Sequence, residues 1–184
     1  MIALTPNATI DRTHDQIRLS FERRFDTSAD ELWDAVTNPD RIARWLFPVR
    51  EGRPGPDASI HMDAGPDDQP VWRVTRWEPK SAWAFRWDHP THAGLSTLVT
   101  IEVAADGEEA VLRLTHDELT AHDAPEYAAG WQVHLDKGLV PLLSSPAGPD
   151  LDWSQWTPLH AAYTHVIAGE RWASARVDAD ESAG

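Results

Sequence analysis

The 184-residue sequence contains no cysteine, few basic residues and no long apolar run. The lack of cysteine excludes disulfides, zinc sites built from thiolates and a cysteine nucleophile, and it is compatible with a cytoplasmic protein. The 16 Lys and Arg against 30 Asp and Glu give a net charge of −14, which argues against nucleic-acid or anionic-membrane partners, because both need a basic patch. Neither a membrane span nor a signal peptide is expected, since no apolar run is long enough and the first residues lack a basic segment.

Tryptophan is abundant, with ten residues spread over predicted strands, predicted helices and the C-terminal segment. Two interpretations fit this count. The rings can fill a small core completely, at the packing density usual for protein interiors. Several of them can instead line a cavity for an apolar or aromatic ligand, since aromatic side chains are the usual lining of such sites. The sequence leaves both interpretations open.

Residues 21–45 set the pattern of the N-terminal half. Residues 16–26 alternate between two faces, one of them largely apolar, which predicts a half-buried strand. Thr27 or Ser28 can cap the helix that follows. Pro39 then begins a second short helix at its first position, where a missing N–H costs nothing. We therefore expect a strand followed by two short helices.

The remainder of the chain is predicted to be a sheet followed by one long helix. Strands are expected at residues 59–63, 71–77, 82–88, 95–104 and 109–119. The Asp106-Gly107 pair is a strong signal for a hairpin between the last two. Residues 124–143 have the period of an amphipathic helix. Strands that follow one another without helices form an antiparallel meander, so the long helix should cover one face and leave a cavity that the short helix pair closes.

The chain is expected to form one domain. Residues 1–14 are predicted to be a flexible N-terminal arm, and residues 170–184 a polar tail. The domain itself spans residues 15–169 and includes a C-terminal helical extension at residues 150–169. A chain of this length can bury a sizeable core.

Four segments carry a resemblance to a known family. They are FERRFDTSADELWDAVTNPDRIARWLFP, VTRWEPKSAWAFRW, AVLRLTHDEL and GWQVHLDKGL. In their order and spacing, between Ile17 and Leu143, they resemble the bacterial proteins similar to the C-terminal domain of the activator of the heat-shock protein 90 ATPase. That family is part of the helix-grip, START-like superfamily, also called SRPBCC.

The resemblance implies an α+β helix-grip fold. Its curved antiparallel sheet of about six strands wraps round a long C-terminal helix, and two short helices follow the first strand. It also implies a hydrophobic pocket, because the superfamily includes lipid carriers, hormone receptors, polyketide cyclases and oxygenase domains. It implies no particular reaction, and its heat-shock name suggests a stress-related role.

Candidate ligand-binding residues follow from the expected cavity between the sheet and the long helix. They come from inward-facing strand positions, from one face of the helix and from the short helix pair at the mouth. The candidates are Trp33, Trp45, Phe47, Trp83, Phe85, Trp87, Val99, Ile101, Leu112, Leu114, His116, Trp131 and Leu135.

His116 is the only candidate for a catalytic role. If Leu112 and Leu114 face the helix, the period of two places His116 on the same face, where it could bind a ligand or act as an acid or base. The alternative is a histidine satisfied at a strand end. His89 and His92 lie three apart, but no third ligand is evident at suitable spacing, so no metal is expected. The sequence predicts no cofactor either.

Three functions remain open from the sequence. The leading hypothesis is binding of a small hydrophobic or aromatic ligand between sheet and helix, without catalysis. The second is a cyclase- or hydrolase-type enzyme that uses His116 as acid or base. The third is a co-chaperone-like module with a protein partner, or a homodimer, which would need an exposed apolar patch.

Overall fold

The computed structural model describes residues 5–89 and 95–181, and within them eight strands form one sheet. The strands are β1 (Thr9–Thr13), β2 (Gln16–Phe25), β3 (Val49–Glu51), β4 (Ser59–Met62), β5 (Val71–Glu78), β6 (Ala82–Asp88), β7 (Ser96–Asp106) and β8 (Glu109–Leu119). Every pairing is antiparallel, in the order β1-β2-β8-β7-β6-β5-β4-β3. The sheet is curved and does not close, so β1 and β3 are its two edges. This architecture confirms the predicted α+β fold.

The predicted count of about six strands is too low, because the sheet has eight. The two strands missing from that count are the edge strands β1 and β3, of five and three residues. An edge strand has one hydrogen-bonded neighbour and buries little, so its sequence carries little alternation. Strand β3 pairs with β4, and β1 pairs with β2.

Helices α1 (Ala29–Thr37) and α2 (Pro39–Trp45) follow β2 as predicted. Ser28 is the N-cap of α1, and its side chain accepts a hydrogen bond from the Glu31 N–H. Asn38 ends α1 and caps α2, with its side chain accepting from the Asp40 N–H. Asn38 therefore lies at the sharp turn between the two helices, and the end of α2 contacts the long helix at Gly138.

The long helix has three consecutive parts. They are α3 (Ala124–Val133), a π-helical segment (His134–Leu139) and α4 (Val140–Ser144). At Gly138 the helix packs directly on α2, because a Cβ built there would lie 2.6 Å from the carbonyl oxygen of Trp45. The π-helical segment, which includes Gly138, is wider than an α-helix, and such segments occur often at functional sites.

A C-terminal extension packs on the outside of the long helix. It consists of a short 3₁₀ helix (Trp153–Gln155) and α5 (Trp156–Glu181). The hydroxyl of buried Tyr163 donates to Oε1 of Gln132 on α3 at 2.6 Å and accepts from the Asn7 N–H at 3.1 Å. The extension therefore holds the segment before β1 against the domain. Within the part of the chain that the structure describes, no helix combines the length and apolar character needed to cross a membrane.

Candidate functional site

A cavity of about 190 Å³ lies beside the long helix, where the ends of β6 and α2 meet the C-terminal extension. Two of its lining residues, Glu126 and Trp153, are exposed, so the cavity reaches the surface. The lining residues are Leu46, Phe47, Asp68, Trp87, His89, Glu126, Tyr127, Gly130, Trp131, His134, Trp153 and Trp156.

Strand β6 brings Trp87 to this cavity. Alternation along the strand places Trp83, Phe85 and Trp87 on one face. The first two rings pack with Trp72 of the neighbouring strand, with centroid distances of 4.4 Å from Trp72 to Phe85 and 4.7 Å from Trp83 to Phe85. These rings fill the interior, and Trp87, near the end of the strand, borders the open space.

Three further rings stand nearly perpendicular to Trp87. The centroid of Trp131 lies 5.7 Å away at 88°, that of Tyr127 5.7 Å away at 79°, and that of Phe47 6.1 Å away at 84°. Edge-to-face contacts of this kind are the arrangement that aromatic quadrupoles favour. The rings of the aromatic wall therefore pack against one another around Trp87.

His116 supports this wall from behind. Its Nδ1 accepts a hydrogen bond from the Trp131 indole N–H at 2.9 Å, and its Nε2 lies 2.8 Å from Oγ1 of Thr97. Because Nδ1 acts as the acceptor, the proton of the neutral ring is on Nε2, which donates to Thr97. Complete burial lowers the pKa of His116 to about 3, so the ring is neutral at neutral pH. Both ring nitrogens are used within the protein.

A polar group occupies one end of the cavity. The hydroxyl of Tyr127 lies 2.7 Å from Nε2 of His89, and Nδ1 of His89 lies 3.2 Å from Oδ1 of Asp68. The Asp68 carboxylate accepts from Nδ1–H, which leaves Nε2 to accept from the tyrosine hydroxyl. Burial, and to a smaller extent the nearby carboxylates of Glu126 and Asp123, raise the pKa of Tyr127. The hydroxyl therefore remains protonated and positioned.

His134 closes the opposite side of the cavity. Its Nδ1 lies 2.9 Å from the carbonyl oxygen of Trp45, so Nδ1 carries the proton and donates. Burial lowers the pKa of His134 to about 4. Its ring meets Phe47 and Trp153 edge-on, with centroids 4.9 and 5.0 Å away. The site thus presents a neutral histidine between aromatic rings.

Only some of the predicted site residues meet at this cavity. Phe47, Trp87 and Trp131 line it, and His116 does face the helix but lies behind Trp131. Trp33 packs against Trp77, with centroids 5.3 Å apart. The remaining candidates are buried in the packed core: Trp45, Trp83, Phe85, Val99, Ile101, Leu112, Leu114 and Leu135. A ligand role for any of these residues stays a prediction.

Several lining residues were not among the sequence candidates. Tyr127 and His134 had a usable signal, because they lie four residues before and three after Trp131 and so share its helix face. Trp153 and Trp156 follow the region of family resemblance, which gave no reason to bring them to the pocket. Asp68 is in a turn, and no local pattern marks it.

The structure shows no metal-binding group among the residues it describes. Within residues 5–89 and 95–181, no three His, Cys, Asp or Glu side chains are arranged to hold an ion. His92, which was considered with His89, lies outside the described residues.

Comparison with known proteins gives one family match. The model of the family described as "Activator of Hsp90 ATPase homolog 1-like protein" matches residues 26–144. No curated protein matches the chain significantly.

Solved structures with the same fold come from several bacteria. CalU16 from Micromonospora echinospora is 19% identical, with 88% of this chain and 97% of that chain covered and a TM-score of 0.72. A conserved protein of unknown function, EF2215 from Enterococcus faecalis, is 14% identical, with 88% and 91% covered and a TM-score of 0.73. The Aha1 dimer from Colwellia psychrerythraea is 18% identical, with 71% and 98% covered and a TM-score of 0.56. At these identities the likeness establishes the fold alone.

Proposed function

The chain belongs to the family of activator of Hsp90 ATPase homolog 1-like proteins, and we propose that it binds a small, mainly apolar aromatic molecule in the cavity beside the long helix. The observation that carries this proposal is the lining of the cavity. Half of the twelve lining residues have phenyl, phenol or indole rings, namely Phe47, Trp87, Tyr127, Trp131, Trp153 and Trp156. Proteins of this superfamily are typically ligand-binding, and ring-lined concave sites are the usual form of small-molecule sites.

The size of the cavity limits the ligand. An apolar cavity of about 150 Å³ is large enough for benzene. The cavity of about 190 Å³ therefore suits a single aromatic ring with a short substituent. Because exposed Glu126 and Trp153 are part of its lining, a larger molecule could insert one ring and leave the remainder outside.

The polar end gives such a ligand an orientation. In the arrangement with His89, the proton of the Tyr127 hydroxyl points to Nε2, so the oxygen lone pairs can accept a hydrogen bond from the ligand. A ligand with one donor group at the end of an apolar body matches this geometry. The few polar groups of a binding site usually supply orientation in this way.

The two other functions have less support. An acid–base role for His116 would require a free ring nitrogen, whereas both nitrogens have partners inside the protein. A protein-interaction role would require an extended apolar surface. Among the side chains that the structure describes, only Trp153 and Val166 are large, apolar and exposed.

Filling the cavity from the helix tests the proposal. A Cβ at Gly130 meets no atom within 4 Å, and Gly130 lines the cavity, so the Gly130→Leu side chain should occupy the ligand space without disturbing the fold. We expect toluene, indole and p-cresol to raise the Tm of the wild type and to bind it in calorimetric titration. The affinity should fall by roughly tenfold or more in the variant, because the lost contact area is worth at least about 1.4 kcal/mol.

Gly169→Leu is the matched control. Gly169 is exposed on α5 and does not line the cavity, and a Cβ there also meets nothing within 4 Å. The control should bind like the wild type. The proposal fails if none of the three probes binds the wild type, or if Gly130→Leu binds them unchanged.

A further inference from the structure

The charges around the cavity have one sign. Asp68 and Glu126 are in the lining, which contains neither lysine nor arginine. Asp123 joins these two carboxylates around an adjoining cavity of about 140 Å³. His134, the lining histidine at the opposite side, is neutral because burial lowers its pKa to about 4. A ligand in the aromatic cavity therefore meets carboxylates and neither lysine nor arginine.

The carboxylates of the lining also lack lysine and arginine partners in the described part of the chain. Elsewhere on the surface arginines pair with carboxylates, as Arg73 does with Asp88 at 2.7 Å and Arg113 with Glu22 at 2.9 Å. Within the described part of the chain, neither Asp68 nor Glu126 forms an ion pair with lysine or arginine, and the partner of Asp68 is His89. No lysine or arginine among the described residues thus neutralises these two carboxylates at the cavity.

We infer that the cavity selects an organic cation, namely an amine or quaternary ammonium group on an aromatic or branched apolar body. This inference rests on the proposed binding function and specifies the ligand class. Indole, phenol and phenyl faces carry partial negative charge and attract cations, which is why quaternary ammonium groups bind in aromatic cages. Asp68 and Glu126 add Coulomb attraction at the same end of the cavity. The same carboxylates repel anionic ligands such as fatty acids.

An isosteric pair of probes isolates the charge. Phenyltrimethylammonium and tert-butylbenzene have nearly the same shape and differ by one positive charge. At about pH 8 and low salt, we expect phenyltrimethylammonium to bind roughly tenfold more tightly than tert-butylbenzene in calorimetric titration. The reason is that cation–π contacts and the nearby carboxylates attract only the charged probe. The difference should shrink as salt is added, because Asp68 is 41% exposed and its field is screened.

A double variant tests the carboxylates directly. Asp68→Asn with Glu126→Gln keeps the shapes and keeps an oxygen acceptor for His89 at position 68. It should reduce affinity for the cation by roughly tenfold and leave affinity for tert-butylbenzene within about twofold. Asp57→Asn with Glu108→Gln is the control, since both residues are exposed, neither lines the cavity, and the change in net charge is equal. The control should keep the wild-type preference for the cation.

The outcomes separate this inference from the proposed function. Equal binding of both isosteres by the wild type overturns the cation preference and leaves aromatic binding standing. Cation-selective binding that survives in the Asp68/Glu126 double variant also overturns the inference, because the selectivity would then lie elsewhere. If neither isostere nor any of the neutral probes binds, the proposed function itself fails.

Discussion

Two buried neutral histidines support the cavity at the scale of single residues. His116 joins Thr97 of β7 to Trp131 of α3, and His134 joins the long helix to the end of α2. Each ring has a polar partner at a hydrogen-bond distance, so its burial does not leave that donor or acceptor unpaired. Protonation would place a charge where water cannot solvate it, which is why burial lowers both pKa values.

These histidines predict an acid-sensitive fold. In the unfolded chain both take up protons near pH 6.5, whereas in the folded protein their pKa values are about 3 and about 4. Their stabilising contribution is therefore complete above about pH 6.5 and is lost as the pH falls towards the folded pKa values. Between about pH 6 and pH 5 we expect the free energy of unfolding in urea to decrease by about 1 kcal/mol per histidine.

The variant His134→Gln should remove about half of this pH dependence, whatever its effect on absolute stability. Replacement of the exposed His122 by Gln is the control and should keep the wild-type slope. A wild-type stability that stays level between about pH 6 and pH 5, or a slope unchanged in His134→Gln, would contradict the expectation.

The sequence predicted the face of His116 but not its role. The period of two in β8 correctly places it with Leu112 and Leu114, and all three are buried. Its partners, Thr97 and Trp131, come from two other elements. A hydrogen bond between elements depends on their packing in space, which the local pattern of a strand does not contain.

At the scale of elements, two glycines of the long helix have opposite surroundings. At Gly138 a Cβ would lie 2.6 Å from the Trp45 carbonyl oxygen and 3.0 Å from the Trp45 Cβ, so the helix and α2 are in backbone contact. At Gly130 a Cβ meets no atom within 4 Å, because the residue borders the cavity. The first glycine allows close packing, and the second leaves space for a ligand.

Alanine at these two positions should therefore change stability in opposite directions. Gly138→Ala should lower the free energy of unfolding by about 1–3 kcal/mol, because rigid backbone must move apart. Gly130→Ala should raise it by about 0.5–1 kcal/mol, through the better helix propensity of alanine. Urea denaturation of both variants measures the two changes. A Gly138→Ala variant as stable as the wild type would show that the close contact of Gly138 with α2 is not needed for packing.

Both glycines lie within the helix that the sequence predicts at residues 124–143. The helical pattern could not show which glycine meets backbone and which borders a cavity, because the neighbour that distinguishes them, Trp45 of α2, is distant along the chain. The helix itself was predictable from its period. Its π-helical segment (His134–Leu139) was not, since a single wide turn barely changes the apolar pattern.

At the scale of the whole molecule, the binding cavity combines the family domain with the C-terminal extension. The family match ends at residue 144, whereas Trp153 and Trp156 of the lining come after it. The extension also packs three residues of α5, Leu159, Tyr163 and Ile167, into the core at no more than 2% exposure. Family resemblance therefore predicts the scaffold well, but part of the wall that would select a ligand is supplied by a segment outside the matched region.

Because the extension is part of the core, its packing should affect global stability. Leu159→Ala removes a fully buried side chain at the contact of α5 with the domain and should cost about 2–5 kcal/mol in the free energy of unfolding. Val166→Ala, on the same helix but 38% exposed, should cost no more than about 0.5 kcal/mol. Urea unfolding followed in parallel by circular dichroism and tryptophan fluorescence should give one coincident transition for each variant, since a shared core unfolds as a unit. If Leu159→Ala lowers the free energy of unfolding no more than Val166→Ala does, the extension folds independently of the sheet. The same conclusion follows if circular dichroism and tryptophan fluorescence give different urea transitions for Leu159→Ala. The tryptophans that it contributes would then be a mobile cover of the cavity and not part of its fixed wall.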